Sequence, residues 1–232
     1  SMDPENRSAM LQLLVYAIES NDREGVITHC DNAILYIPDM LELYYYKGMA
    51  TYLLGRKAVA AAILEQGLER RNEESSTEIV ATSFSLLGEI YHELDNLDKC
   101  TEAYDSALLY NPSDIGVLNN YAYYLALEGK DLERALGMSA KTIEEEPENA
   151  IYVDTYAWLL FSLERYEEAK AYAEKLIKLN ADMSAVEYHH CGDIFAKCGD
   201  IDRAVEYWIL AQKAGDDSKI LKKKIKRRKY YP

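Results

Sequence analysis

Three glycines of this chain, Gly48, Gly88 and Gly192, each open the same pattern of residues. Apolar residues follow each glycine at offsets of 12, 16 and 19 residues, and a proline follows Gly88 at an offset of 24. The residues are Ala60, Leu64 and Gly67 after Gly48; Cys100, Tyr104, Ala107 and Pro112 after Gly88; and Ala204, Trp208 and Ala211 after Gly192. A fixed period of this length is the mark of a repeat array, in which each unit packs only on its neighbours. The pattern therefore predicts an elongated array of helix pairs, forming a single domain over residues 1–232 without a second core.

Other small or apolar residues take the place of the glycine in the remaining segments, namely Leu14, Ala122 and Ala157. After Ala122 each later position comes one residue late, which predicts a single inserted residue near Lys130 in the turn between two helices. The predicted units are 7–40, 41–74, 81–114, 115–149, 150–183 and 185–218, with residues 75–80 as an insertion that forms a surface loop or extends a neighbouring helix. Six helix pairs are expected.

Each position in the pattern has a physical reason. A glycine or alanine in the first helix lets the second helix approach closely, and a bulky residue 16 positions later fills the remaining space. Gly55, Gly129 and Gly199 fall where the two helices of a unit join, and a positive φ is easiest for glycine. The prolines Pro38, Pro112 and Pro147 follow predicted helix ends, where helix continuation is blocked.

The pattern resembles the tetratricopeptide repeat, a helix-turn-helix unit of about 34 residues. The resemblance covers nearly the whole chain and implies an all-α fold, an α/α superhelix (solenoid) of about six units. The tyrosine-rich style of residues 119–126 is similar to that of bacterial repeat proteins. Members of the family bind proteins or peptides, mainly along a concave face.

The resemblance places that face on residues two, five, nine and twelve of the first helix of each unit. The expected contact residues are Tyr45, Met49, Tyr52, Glu89, His92, Asn119, Tyr123, Asp154, Trp158, His189 and Asp193. Tyr45 with Met49 and Tyr52, and Tyr123 with Trp158 and Phe161, form two aromatic patches that suit an extended peptide or an amphipathic helix, unless single members pack under the next helix.

The lysine and arginine clamp with which some family members grip a C-terminal carboxylate is missing here. Glu89, Asp154 and Asp193 stand on the expected face instead of cations. A ligand with basic or aromatic character therefore fits this face better than a carboxylate terminus does.

Charge is distributed unevenly along the chain. The formal net charge is −14, and residues 219–229 carry eight Lys and Arg and no acid, so the remaining residues stand at −22. An acidic array repels phosphate backbones, and nucleic acid is not expected as a partner. Residues 219–229 are predicted to form a capping helix; the alternative is a basic arm for acidic lipid, nucleic acid or the acidic body of another copy.

Candidates for metal or redox chemistry are weak. Cys30, Cys100, Cys191 and Cys198 fall mostly on packing positions and are expected to be free thiols. His189, His190 and Cys191 are adjacent, so they point in different directions along a helix, and no zinc-ligand spacing supports a site; His190 is expected to be an edge residue beside a core one. We predict neither a metal nor another cofactor.

No catalytic motif is found, so an enzyme is not expected unless a catalytic domain is attached. The first hypothesis is a scaffold that binds a protein or peptide. The second is self-assembly into a homo-oligomer, through the basic tail or through N-terminal apolar residues such as Leu11, Leu14 and Ile18.

The ends and the compartment stay open at this point. No apolar run approaches the roughly 20 residues that span a bilayer. Ser1 and Met2 resemble the remnant of a cleaved tag, so an upstream signal is conceivable. The expected location is either the cytoplasm or, with such a signal, the bacterial periplasm or envelope.

Overall fold

The computed structural model describes residues 4–180 and 182–232, and these are all helix, turn or irregular chain without a β-strand. The prediction about Ser1 and Met2 lies outside the described residues. Thirteen helices follow one another in the described part: α1 Pro4–Glu19, α2 Arg23–Ile34, α3 Leu41–Leu53, α4 Lys57–Glu69, α5 Thr77–Glu93, α6 Leu97–Tyr110, α7 Ile115–Glu128, α8 Leu132–Glu145, α9 Ala150–Ser162, α10 Tyr166–Leu179, α11 Ala185–Lys197, α12 Ile201–Lys213 and α13 Lys219–Arg227. The predicted all-α fold of repeated helix pairs is confirmed.

The recurring glycines lie where two helices of a pair approach each other. A Cβ atom built on Gly48 would come within 2.7 Å of Leu64, one on Gly88 within 2.7 Å of Tyr104, and one on Gly192 within 2.4 Å of Trp208. These distances are shorter than any real contact between carbon atoms. The bulky residue 16 positions after each glycine therefore fills the space that a side chain would have taken, as the pattern predicted.

The turn between the two helices of each pair contains a residue in the left-handed conformation. Gly55, Gly129 and Gly199 have φ angles of +77°, +63° and +82°. Asn21, Asp95 and Glu164 hold the equivalent turns with φ between +55° and +60°. Asp131 also has a positive φ, of +43°, so the turn with the extra residue at Lys130 uses two left-handed residues.

The chain divides into two compact units, Ser1–Val117 and Leu118–Pro232. In the first, α1 packs on α2, α3 on α4 and α5 on α6, and α2–α3 and α4–α5 contacts join the pairs. In the second, α9 packs on α10 and α11 on α12, with α8, α10 and α13 completing the contacts between neighbours.

Two segments whose structure the sequence left open, residues 75–80 and 219–229, contribute to helices. Most of the insertion at 75–80 lies in α5, which begins at Thr77 after its N-cap Ser76. With 17 residues, α5 is about one turn longer than α3, α9 and α11, which have 13 residues each. The predicted capping helix at 219–229 is α13, which is capped by Ser218 and ends two residues earlier, at Arg227. Leu221 of α13 is completely buried.

The thiols of Cys30, Cys191 and Cys198 are free, and the first two are buried. Burial raises the pKa of Cys30 to about 12. We therefore expect Cys30 and Cys191 to react with a disulfide reagent at pH 8 only as fast as the protein opens, since the thiolate is the nucleophile. Half-exposed Cys198 should react first. Mass spectrometry of time points would report the order, and early modification of Cys30 in the folded protein would contradict the expectation.

Candidate protein-binding surface

The expected contact residues lie on the first helices of the pairs. Within each compact unit, we call the fifth, ninth and twelfth residues of the predicted repeats the helix-A stripe. Its fifth positions divide evenly between buried and half-buried residues. Tyr45 is 9% exposed, Asn119 3% and Asp154 7%, whereas Leu11, Ser85 and His189 are half-buried. The three buried residues support the stripe from below.

The ninth positions keep more of their surface. Four of them are half-buried: Met49, Glu89, Tyr123 and Trp158. Of the other two ninth-position residues, Val15 is 51% exposed and Asp193 only 3% exposed. Among twelfth positions Tyr52 and His92 are half-buried and Phe161 is buried. The described surface of the stripe is thus dominated by aromatic and apolar side chains.

In the first compact unit the stripe combines a hydrogen bond with an apolar groove. Tyr52 donates its hydroxyl proton to Glu89 Oε1 at 2.9 Å, joining α3 to α5. Burial and this carboxylate raise the pKa of Tyr52. A groove of about 160 Å³ lies beside it, lined by Ala17, Ile18, Asn21, Arg23, Val26, Tyr46, Met49, Ala50 and Leu53.

In the second compact unit the stripe is built around His190. Its ring stacks on Trp158 with centroids 4.0 Å apart, and its Nδ1 lies 2.9 Å from Asp154 Oδ2. The ring centroid of Tyr123 lies 6.3 Å from that of His190. Phe161 stacks on Trp158, with ring centroids 4.8 Å apart. The expectation that His190 is an edge residue is wrong, because its pairing with Asp154 makes it a buried support for the Trp158 ring.

The capping helix α13 covers the last part of the stripe. Lys224 Nζ donates to both oxygens of Asp193, at 2.8 and 2.6 Å, and Asp193 Oδ1 also accepts from Trp208 Nε1 at 2.9 Å. Lys224 is itself only 3% exposed. Asp193 therefore holds the cap in place and is closed to a ligand in this conformation.

His189, the neighbouring stripe residue, bridges the cap and the loop before it. Its Nδ1 lies 2.7 Å from Asp216 Oδ2, and its Nε2 lies 2.9 Å from Lys224 Nζ. These partners fit a neutral ring that donates from Nδ1 to the carboxylate and accepts at Nε2 from the ammonium. Burial, reinforced by the Lys224 charge, lowers the pKa of His189 although two carboxylates oppose the shift.

The lowered pKa of His189 predicts an acid-sensitive cap. In the unfolded chain the pKa of histidine is about 6.5, so below that pH the unfolded chain binds a proton that the folded ring does not yet accept. The free energy of unfolding is therefore highest above that pH and falls as the pH drops towards the pKa of the folded state. The free energy of unfolding of the second unit should decrease between pH 7 and pH 5, and a His189→Gln variant should show a flatter profile. Chemical denaturation at several pH values measures both slopes; equal slopes would exclude His189 as the cause.

Two properties of the described residues concern metal binding and membrane insertion. No group of three or more His, Cys, Asp or Glu side chains comes together there in a way that could hold a metal ion. Nor does any helix in the described ranges combine the length and the apolar character needed to cross a bilayer.

Comparison with known proteins adds independent findings. The model of the family described as "Tetratricopeptide repeat" matches residues 81–114 and 154–183. No curated protein sequence matches the chain significantly. A solved tetratricopeptide repeat protein from Parabacteroides merdae aligns with 97% of this chain and 85% of its own, at 17% identity and a TM-score of 0.63.

Two further solved structures give the same result. YrrB, described as a tetratricopeptide repeat protein with an unusual peptide-binding site, aligns with 75% of this chain and 86% of its own, at 20% identity and a TM-score of 0.64. MamA aligns with 76% and 93%, at 16% identity and a TM-score of 0.65. At such identities these likenesses show the fold alone.

The helix pairs, their shared turn and the glycine-mediated contacts define an all-α repeat protein. The family match then shows that residues 81–114 and 154–183 are tetratricopeptide repeats.

Proposed function

We propose that this chain is a non-catalytic scaffold that holds a protein or peptide partner on its helix-A stripe. The observation that carries the proposal is the half-burial of Tyr52, Tyr123 and Trp158 on this stripe. Large aromatic side chains that keep exposed surface on a rigid support are favoured anchors for protein partners, because they bury much area at little cost in side-chain entropy.

The charges on the stripe support an aromatic or apolar partner more than a strongly basic one. Glu89 accepts from Tyr52, Asp154 lies against His190, and Asp193 is occupied by Lys224 and Trp208. All three carboxylates that the sequence places on this face therefore have internal partners. YrrB, which shares the fold, is described as having a peptide-binding site, and this too supports a peptide as the ligand.

The test is affinity capture from an extract of the source organism, with partners identified by mass spectrometry. The intact chain is compared with a stripe variant carrying Tyr52→Ala, Tyr123→Ala and Trp158→Ala. A matched control carries three substitutions of exposed apolar residues outside the stripe, Leu35→Ala, Val59→Ala and Leu109→Ala, whose side chains are 77%, 55% and 79% exposed. Circular dichroism establishes that all three proteins are folded.

We expect partners retained by the intact chain and the control to be lost from the stripe variant. Partners retained by the stripe variant and lost from the control would overturn the proposal and assign binding to the second helices instead.

A second candidate function is self-assembly through the first helix, and one observation favours it. Leu13 and Tyr16 of α1 are 52% and 69% exposed, whereas the equivalent Leu87 and Ile90 of α5 are 3% and 0% exposed. Of the residues expected to drive association, Leu14 is buried within the first unit and Ile18 is 38% exposed. Light scattering would test this candidate: a concentration-dependent dimer that Tyr16→Glu abolishes supports it, and a monomer at high concentration excludes it.

A further inference from the structure

The chain beyond α13 turns back onto the helix-A stripe. Arg228 ends the helix in a left-handed conformation, with φ of +50°, and the Lys229 amide donates to the Lys224 carbonyl. Tyr230 then lies edge-on against Phe161, with ring centroids 5.8 Å apart and an angle of 67° between the planes. Phe161 in turn stacks on Trp158. The segment 228–232 thus places an aromatic side chain beside the aromatic patch that the sequence singled out.

The cleft that receives Tyr230 is suited to an aromatic ring. Phe161 and Tyr166 lie edge to face, 5.5 Å apart, and form two of its sides. The ammonium groups of Lys197 and Lys224 lie 4.8 and 4.9 Å from the Tyr230 centroid. Cations near the face of a ring attract its electron-rich surface, and edge-to-face contacts are favourable aromatic geometry. These features select an aromatic side chain whether it comes from this chain or from another.

Apart from the Tyr230 ring, residues 228–232 are held by contacts at the surface. The ammonium group of exposed Lys223 lies 3.8 Å from the Tyr231 ring centroid. Arg228 forms an ion pair with Asp202, whose side chain is 91% exposed, and Lys229 is exposed. An exposed ion pair contributes little to holding a segment. The preceding helix, by contrast, is anchored by buried Leu221 and Lys224. Loss of Tyr230 from the cleft would therefore leave the buried Leu221 and the Lys224–Asp193 pair of α13 intact.

We propose that the cleft bounded by Phe161, Tyr166 and Lys197 is a receptor for an aromatic side chain of a partner peptide, and that Tyr230 fills it in the free chain. The proposal rests on the proposed function, because it names the chemistry of a ligand for that same stripe. The partner carries an aromatic residue that takes the place of the Tyr230 ring beside Phe161 and Lys197. Because Tyr230 is tethered beside the cleft, it competes with the aromatic side chain of the partner and raises the partner concentration that is needed for binding.

A titration with the chain's own segment tests the proposal. The probe is a synthetic peptide of residues 226–232, added to the intact protein and to a Tyr230→Ala variant while amide resonances are followed by NMR. We expect the resonances of Phe161, Tyr166 and Lys197 to shift in the variant, with an apparent affinity at least tenfold higher than in the intact chain. The same peptide carrying Tyr230→Ala and Tyr231→Ala should cause no such shifts.

A second variant keeps the test independent of effects on folding. Adding Lys197→Ala to Tyr230→Ala removes an exposed ammonium group and should weaken peptide binding several-fold, with an unchanged circular dichroism spectrum. Equal responses of the intact and Tyr230→Ala proteins, or no response of the variant, would overturn the proposal. Such a failure leaves the capture experiment unaffected, because that experiment compares stripe residues in a chain that retains Tyr230.

Discussion

Replacing Lys224 with alanine is expected to lower the free energy of unfolding of the second unit by about 3–5 kcal/mol, the usual cost of leaving one member of a buried ion pair without its partner. The side chains of Lys224 and Asp193 are 4% and 5% exposed. Without the ammonium group, the Asp193 carboxylate would keep its bond from Trp208 but would carry an uncompensated charge in a site that water does not reach. The α13 cap would loosen as a result.

Denaturant unfolding followed by tryptophan fluorescence measures this loss, because both tryptophans of the chain, Trp158 and Trp208, belong to the second unit. Lys222→Ala is the matched control on the same helix, since Lys222 pairs with Asp217 at the surface, where the two side chains are 50% and 86% exposed. The control should cost less than about 1 kcal/mol. A Lys224→Ala loss no larger than that of the control would show that the buried pair does not stabilise the cap.

Gly192→Ala should destabilise the second unit by about 1–3 kcal/mol, through overpacking. The added Cβ would meet Trp208 Cδ1 at 2.4 Å and the Ala204 carbonyl oxygen at 3.1 Å. Trp208 is completely buried, and the Ala204 oxygen belongs to the backbone of α12, so neither can move aside freely. Moving the ring would also disturb its hydrogen bond to Asp193.

Gly137 provides the control for this substitution. It lies inside α8, is exposed, and a Cβ built on it meets nothing within 4 Å. Gly137→Ala should therefore stabilise the second unit by about 0.5–1 kcal/mol, since alanine is the better helix former. We expect the two variants to change the free energy of unfolding in opposite directions, as measured by thermal or denaturant unfolding. A stabilising Gly192→Ala would contradict the role assigned to the recurring glycines.

The repeat pattern predicted the helix pairs because their key contacts are local. Gly192 and Trp208 lie only 16 residues apart, and the small-to-large fit between them requires two helices joined by a short turn. The repeat pattern also predicted a left-handed turn at Gly55, Gly129 and Gly199, which fall where two helices join. It did not predict that Glu164 would adopt this conformation, because nothing in a glutamate side chain favours a positive φ.

The site was predicted only in part, because several of its contacts join distant residues. Asp154 and His190 are 36 residues apart, and Asp193 and Lys224 are 31 apart. From the sequence, a lysine in a basic amphipathic helix is expected to be exposed to solvent. Lys224 is buried because it pairs with Asp193, and the sequence does not show that these two residues meet. One signal was available: Lys224 stands three residues after Leu221, on the apolar side of the helix.

Site-specific photo-crosslinking reports directly whether partners bind on the helix-A stripe. A benzophenone amino acid replaces Tyr123, which is on the stripe, or Leu109, which is 79% exposed on α6. Both proteins are irradiated in an extract of the source organism, and adducts are identified by mass spectrometry. We expect a discrete partner adduct from position 123 and none from position 109. The same adduct from position 109 alone would contradict this expectation.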